Sequence, residues 1–278
     1  MYFRPSTTKE AVHVLATHGA QILSGGTDFF PALADRPATG PILDISGLAE
    51  IRGIAARPDH IRIGGLTTWS EVIATPLPRC FDALKSAARE IGGIQIQNRG
   101  TVAGNLCNAS PAADSVPPLL ALDAEVELMS VTGVRRVLLS DFIVGNRKTL
   151  RRPDEILTGV IVGRGFDDAQ STFVKLGARR YLVISIAMVA AIVQTNGKGV
   201  VAEARVAVGS CSVTAKRLTA LERDLVGAPA QVGLGAIASV EHLKSLSPID
   251  DVRATADYRT DAALTLINRA LDGCVGSR

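Results

Sequence analysis

Two short stretches carry the residues best suited to chemistry. Residues 100–114 read GTVAGNLCNASPAAD, a run of small and polar side chains with few large apolar ones. Thr101, Asn105, Asn108, Ser110 and Asp114 offer hydroxyl, amide and carboxylate groups, and Gly104 lets a backbone approach a ligand with no Cβ in the way. Residues 23–28 read LSGGTD, between the apolar runs 20–23 and 29–34. That pattern reads as strand, glycine turn and helix start. It matches neither G-x-G-x-x-G nor the phosphate loop G-x-x-x-x-G-K-[ST], but it follows the same physical logic, with glycines that bring backbone N–H groups close to an oxyanion. Either stretch alone is equally consistent with an ordinary turn-rich surface loop.

Together they are consistent with one long anionic ligand. The two phosphates of a dinucleotide need N–H donors, for which the backbones of 24–28 and 104–110 are the candidates. A ribose or ribityl chain needs carboxylate or amide partners, which Asp114, Asn105 and Asn108 could supply. A flavin ring needs an apolar wall, for which Ile22, Leu23 and Leu157 are available.

In order along the chain stand SGGTD (24–28), TVAGN (101–105) with ASPAAD (109–114), RKTLRRPDEIL (147–157) and KLGARR (175–180). In order and spacing these resemble the FAD-binding (medium) subunit of the xanthine dehydrogenase and carbon monoxide dehydrogenase type of molybdenum hydroxylase, over nearly the whole chain. The resemblance implies an α+β fold: a two-subdomain FAD-binding fold of the vanillyl-alcohol-oxidase/PCMH type, then a smaller α+β domain with an antiparallel sheet. Domains are expected at 1–57, 58–165 and 166–278. It implies FAD, with Ile22, Leu23, Ser24, Gly25, Gly26, Thr27, Asp28 and Phe29 around the pyrophosphate; noncovalent binding is expected because no histidine adjoins a motif. Thr101, Gly104, Asn105, Asn108, Ser110 and Asp114 would meet the phosphate, ribityl and adenosine parts. Ile91, Ile156, Leu157 and Lys175 fall on further FAD-contacting positions, where a lysine cation would favour the anionic reduced cofactor. The resemblance also implies partners: a small subunit with [2Fe–2S] clusters that delivers electrons, and a large subunit with the molybdenum cofactor. The final acceptor would be NAD or another oxidant. Before R-K-T-L, where the family's eukaryotic dehydrogenases carry tyrosine, this chain has Asn146, which weakens the case for NAD.

Two other functions stay open on the residues: a free-standing FAD-dependent oxidoreductase with its own substrate, and a nucleotide-binding assembly protein. Substrate-dependent flavin reduction by this chain alone would mark the first. A flavin-free preparation, or bound flavin that no partner reduces, would mark the second.

Composition narrows the classes. The 278 residues allow two or three compact units. With 30 basic against 27 acidic residues and no basic run, nucleic acid is not an expected partner. Cys80, Cys107, Cys211 and Cys274 are far apart with no C-x-x-C, so no metal or iron–sulfur site is expected, and reduced thiols fit a cytoplasmic protein. No apolar run reaches membrane-spanning length, and no apolar signal core opens the chain. None of the four histidines adjoins a motif, so no catalytic residue is assigned.

The positioning elements follow from periodicity and caps. T-x-x-E at Thr7/Glu10 and Thr68/Glu71 marks two helix starts. Helices are expected at 7–16, 79–91, 116–122, 214–225 and 259–271. Strands are expected at 20–23, 41–45, 60–64, 125–130, 134–138, 155–162, 172–177, 186–194 and 200–209. Asn196-Gly197 is a hairpin signal, and residues 100–114 are expected to be loop.

Overall fold

The computed structural model describes residues 1–34 and 36–276, which form two compact units interleaved along the chain.

The first unit comprises Met1–Thr75, Gly93–Ala109 and Ala124–Val162. Its opening helix, Thr8–His18, is capped by the Thr7 side chain, which accepts from the Glu10 amide, and ends at Gly19 with φ of 58°. Ala11, Val12 and Leu15 bury one face. They meet Leu43, Ile45, Leu48 and Ile51 in a core that also takes in Leu66 and Ile156. A three-stranded parallel sheet lies beside it, in the order Tyr2–Phe3, Ile42–Asp44, Gln21–Leu23. The Leu23↔Asp44 pairing ends it and delivers the chain into the glycine turn.

A five-stranded sheet completes the unit, in the order Ile54–Ala56, His60–Gly64, Ile156–Gly163, Glu125–Ser130, Gly133–Leu138. A bulge between Leu157 and Gly159 interrupts the pairing of the third strand with the fourth. It leaves the Thr158 carbonyl to accept from Arg62 and from the Gly65 amide. Between the second and fourth strands in the chain stands the short helix Trp69–Ala74, whose capping box at Thr68 and Glu71 is complete.

The second unit comprises Pro76–Gly92, Ser110–Asp123 and Gly163–Arg278. Its sheet is a four-stranded antiparallel meander of Gln170–Leu176, Ala187–Thr195, Val201–Gly209 and Lys216–Arg217. Residues 187–193 are buried without alternation because both faces of that strand are covered. Ala187, Val189, Ala191 and Val193 pack into the core with the helix Ala256–Val275, while Met188 lies beside Pro117 of the helix Val116–Ala121.

Several expected elements change in detail. Residues 79–91 divide into a single 3-10 turn, Arg79–Phe81, and the helix Asp82–Glu90. The helix expected over 214–225 starts only at Thr219, because Lys216 and Arg217 pair with Val208 and Ala207 as an edge strand. The last helix is longer than its apolar stripe implies. Its buried face runs through Ala263, Ile267, Ala270, Leu271 and Cys274, with Leu264 only partly buried. At the 195–200 turn it is Gly199, with φ of 70°, that takes the left-handed conformation, and the Asn196 side chain accepts from the amides of Lys198 and Val200.

The segment expected to be loop over 100–114 contains the helix Val102–Asn108, started by the Thr101 side chain and ended by Ala109 at φ of 47°. Its small residues allow this. Val102 and Ala103 donate to the carbonyls of Thr67 and Gly65, so the helix start is held against a neighbouring backbone, and Val102, Ala103 and Leu106 are buried. Tertiary packing outweighs the weak helix propensity of this composition.

Candidate functional site

In the first unit the residues singled out from the sequence converge. Ser24 Oγ lies 2.9 Å from Thr101 Oγ1. The same Thr101 oxygen accepts from the Gly104 amide at 3.1 Å. One hydroxyl therefore caps a helix and ties it to the glycine turn. A Cβ on Gly25 would lie 1.9 Å from the Arg99 carbonyl oxygen, so only glycine lets these two backbones pack. Gly26 has φ of 78°, a second requirement for glycine. At the far ends of the two stretches, Asn108 Nδ2 donates to Asp28 Oδ1 at 2.9 Å, and Arg147 donates to Asn108 Oδ1. The glycine turn and the helix are thus joined at both ends.

Between those ties is a run of free donors. Among the described residues, the backbone N–H groups of Gly25, Gly26, Thr27 and Asp28 have no protein acceptor. Four consecutive unpaired amides on a glycine turn suit the oxygens of a diphosphate. The second stretch is different. The amides of Gly104, Asn105 and Ala109 are already bonded to the Thr101 side chain, the Thr101 carbonyl and the Asn105 carbonyl. Backbone donors expected there are consumed by the helix, so that stretch has mainly side chains to offer.

The remaining positions of this unit are apolar. Ile156 and Leu157 are buried, and the Leu157 carbonyl approaches so closely that a Cβ on Gly65 would lie 2.3 Å away. Ile22 and Phe29 are half-buried, and Leu23 is buried. Cys107 lies in the same helix, and burial pushes its thiol up to about 11, which leaves it protonated near neutrality.

In the second unit Asp114 and Lys175 form an ion pair. Lys175 Nζ is 2.7 Å from Asp114 Oδ2, and the two side chains are 8 % and 7 % exposed. Ser185 Oγ donates to Asp114 Oδ1 at 2.5 Å. Burial raises the Asp114 carboxyl above its ordinary value, against the lowering pull of Lys175 and Ser185. Lys175 also lines an open cavity of about 360 Å³ together with Glu90, Phe173, Arg179 and Arg180. Arg180 stacks over the exposed Tyr181 ring at 5.3 Å. Ile91 is half-buried at the end of the helix Asp82–Glu90, and Ser110 Oγ accepts from the Ala112 amide.

Two residues of these clusters escaped the sequence reading. Arg147 lies in a quoted motif, but nothing local shows that it reaches Asn108. Ser185 stands two residues before the buried apolar strand Ala187–Thr195, and a polar residue at such a place was the one available signal.

Comparison with known proteins shows the family. Residues 1–164 match the model of the FAD binding domain in molybdopterin dehydrogenase, and residues 172–273 match the CO dehydrogenase flavoprotein C-terminal domain. The chain is 35% identical to the nicotinate dehydrogenase FAD-subunit of Eubacterium barkeri over 82% of its own length and 80% of that protein. It is 32% identical to the xanthine dehydrogenase FAD-binding subunit of Escherichia coli O157:H7, covering 99% of this chain and 96% of that one. Among solved structures it resembles a chain of the reconstituted CO dehydrogenase from Oligotropha carboxidovorans, with a TM-score of 0.92 and 25% identity over 100% of this chain and 98% of that one. No helix among the described residues is long and apolar enough to cross a membrane. The matched domains, the relatives and the α+β architecture agree: the chain belongs to the family of FAD-binding (medium) subunits of the molybdopterin dehydrogenases, and is an oxidoreductase component.

Proposed function

We propose that this chain is the electron-transfer subunit of a molybdenum hydroxylase, taking electrons from a [2Fe–2S] partner subunit and passing them through FAD to NAD or another acceptor. The observation that carries the reading is the run of four unpaired amides at Gly25, Gly26, Thr27 and Asp28, held by the Ser24–Thr101 link. FAD fits that donor set. In this reading Ile22, Leu23, Ser24 and Phe29 flank the amides around the pyrophosphate. Thr101, Gly104, Asn105, Asn108 and Ser110 meet the phosphate, ribityl and adenosine parts, and Ile91, Ile156 and Leu157 give apolar contact. Lys175 and Asp114 set the local charge, and because they pair, the lysine's field is offset by the carboxylate. When bound, FAD supplies the exchange between one-electron donors and a two-electron acceptor; the chain's work is to bind, orient and tune it.

The molybdenum cofactor belongs, in this proposal, to a large partner subunit that oxidises the substrate. Four free cysteines favour the cytoplasm as the compartment. The test is an absorbance spectrum of the purified chain before and after heat release, followed by copurification. Flavin bands, with FAD free in the supernatant, and recovery with iron–sulfur and molybdenum subunits are expected. A chain that neither carries nor takes up FAD overturns the reading. So does one whose flavin is reduced by substrate with no partner present.

A further inference from the structure

Arg147 stands where the backbone favours glycine. It is the second residue of the two-residue turn, Asn146 and Arg147, between the strands Ile143–Gly145 and Lys148–Thr149, which pair at Gly145↔Lys148. Its φ is 58°, the left-handed region that a residue with a Cβ enters at a cost. Closing such a turn needs no arginine, since glycine or asparagine does so with less strain. Two contacts hold Arg147 there. Its amide donates to the Ala109 carbonyl at 3.0 Å, and its exposed guanidinium donates to Asn108 Oδ1, the group's only partner among the described residues.

The Asn108 side chain is in turn committed, with Nδ2 donating to Asp28 Oδ1 at 2.9 Å. A carboxamide has two distinct ends. The arginine can only donate, so it draws the amide oxygen towards itself and leaves the nitrogen facing the carboxylate. Asp28 is unusual as well. It stands at the N-cap of the short helix Phe29–Leu33, where an aspartate side chain ordinarily accepts from a helix amide, yet it makes no capping bond. Its carboxylate goes to Asn108 instead, and the Asp28 amide stays in the unpaired run with Gly25, Gly26 and Thr27.

We infer that Arg147 is a positioning residue for the cofactor's diphosphate. It orients Asn108 so that Asn108 holds the Asp28 carboxylate aside from the four amides. Left unheld, a carboxylate on the last residue of that run repels phosphate oxygens and competes for the same donors. The three side chains therefore act as a relay, Arg147 to Asn108 to Asp28, that keeps the chain's own anion out of an anion's place. The inference rests on the proposed FAD reading and adds to it a residue that the reading does not use.

The test titrates FAD by fluorescence into the full, FAD-free chain and melts each protein without FAD. The proteins are wild type, Arg147→Gly, Arg147→Lys, Asp28→Asn, and Asp28→Asn combined with Arg147→Gly. Arg147→Gly should weaken FAD binding about tenfold, the scale of one lost charge-assisted hydrogen bond. Its melting temperature should stay level or rise, because glycine takes the left-handed turn without strain. Arg147→Lys keeps a cation and a donor and should lose less than about threefold. Once Asp28→Asn has removed the carboxylate, adding Arg147→Gly should cost less than about threefold, because nothing charged is left to hold aside. Equal losses in the two backgrounds, or unchanged FAD binding in Arg147→Gly, would overturn the inference and leave the proposed function standing. A melting temperature that falls with affinity in both Arg147 variants would also overturn it, since the contact would then serve the fold. A wild-type chain that takes up no FAD overturns both the inference and the reading beneath it.

Discussion

Lys175 and Asp114, 61 residues apart, form an ion pair in which neither side chain is more than a tenth exposed, and Ser185 supplies the second hydrogen bond to the carboxylate. Such a pair costs much desolvation, so removing one partner is worse than removing both. Lys175→Met should destabilise the protein by about 3–5 kcal/mol, because Asp114 is left buried and uncompensated. Lys175→Met with Asp114→Asn should recover most of that loss. Urea denaturation of the four proteins of the cycle checks this. Additive losses would show that the pair is not coupled.

The Ser24–Thr101 link carries a different expectation. Thr101→Ala removes a helix cap and the link together and should cost about 1–2 kcal/mol. Ser24→Ala removes only the link and should cost less than about 1 kcal/mol. Thr101→Ser keeps the hydroxyl and should stay near wild type. Thermal melts rank the three, and FAD titration by fluorescence should show Thr101→Ala binding the weakest.

The two glycines of the turn should respond unequally. Gly25→Ala drives a methyl group into the Arg99 carbonyl, a backbone atom that cannot step aside, and should cost roughly 2–3 kcal/mol or more. Gly26→Ala adds left-handed strain of about 1 kcal/mol, but its clash is with the exposed Phe30 ring, which can rotate away. Paired melts of the two variants settle the order, and a larger loss at Gly26 would refute it.

Acid sensitivity in the second unit should trace to Asp251. The Arg253 amide, with the side chains of Arg259 and Arg253, holds its carboxyl at about 2, below the ordinary 3.8. A depressed folded value stabilises above the unfolded value, and the contribution disappears as pH falls from about 4 towards 2. The melting-temperature difference between wild type and Asp251→Asn should be constant above about pH 5 and shrink below pH 4. A difference that persists to pH 2 would rule out this origin.

What could be known from the sequence alone was local or carried by motif. The capping pattern at Thr68 and Glu71 spans three residues and closes as a full capping box, because nothing distant is needed to make it. The order of four motifs was enough to place the chain in its family, since each motif is a short piece of backbone chemistry.

Tertiary structure alone decided which of those pieces meet. Ser24 reaches Thr101 across 77 residues, and Asp114 reaches Ser185 across 71. No periodicity encodes such pairings, which depend on how strands and helices pack. The same packing turned residues 102–108 into a helix despite their small, glycine-containing composition. It consumed the amides expected to hold phosphate there and left the free donors at Gly25, Gly26, Thr27 and Asp28. Hydrogen-bond satisfaction is a property of the folded whole, because an amide is free only if no other part of the chain has come to meet it.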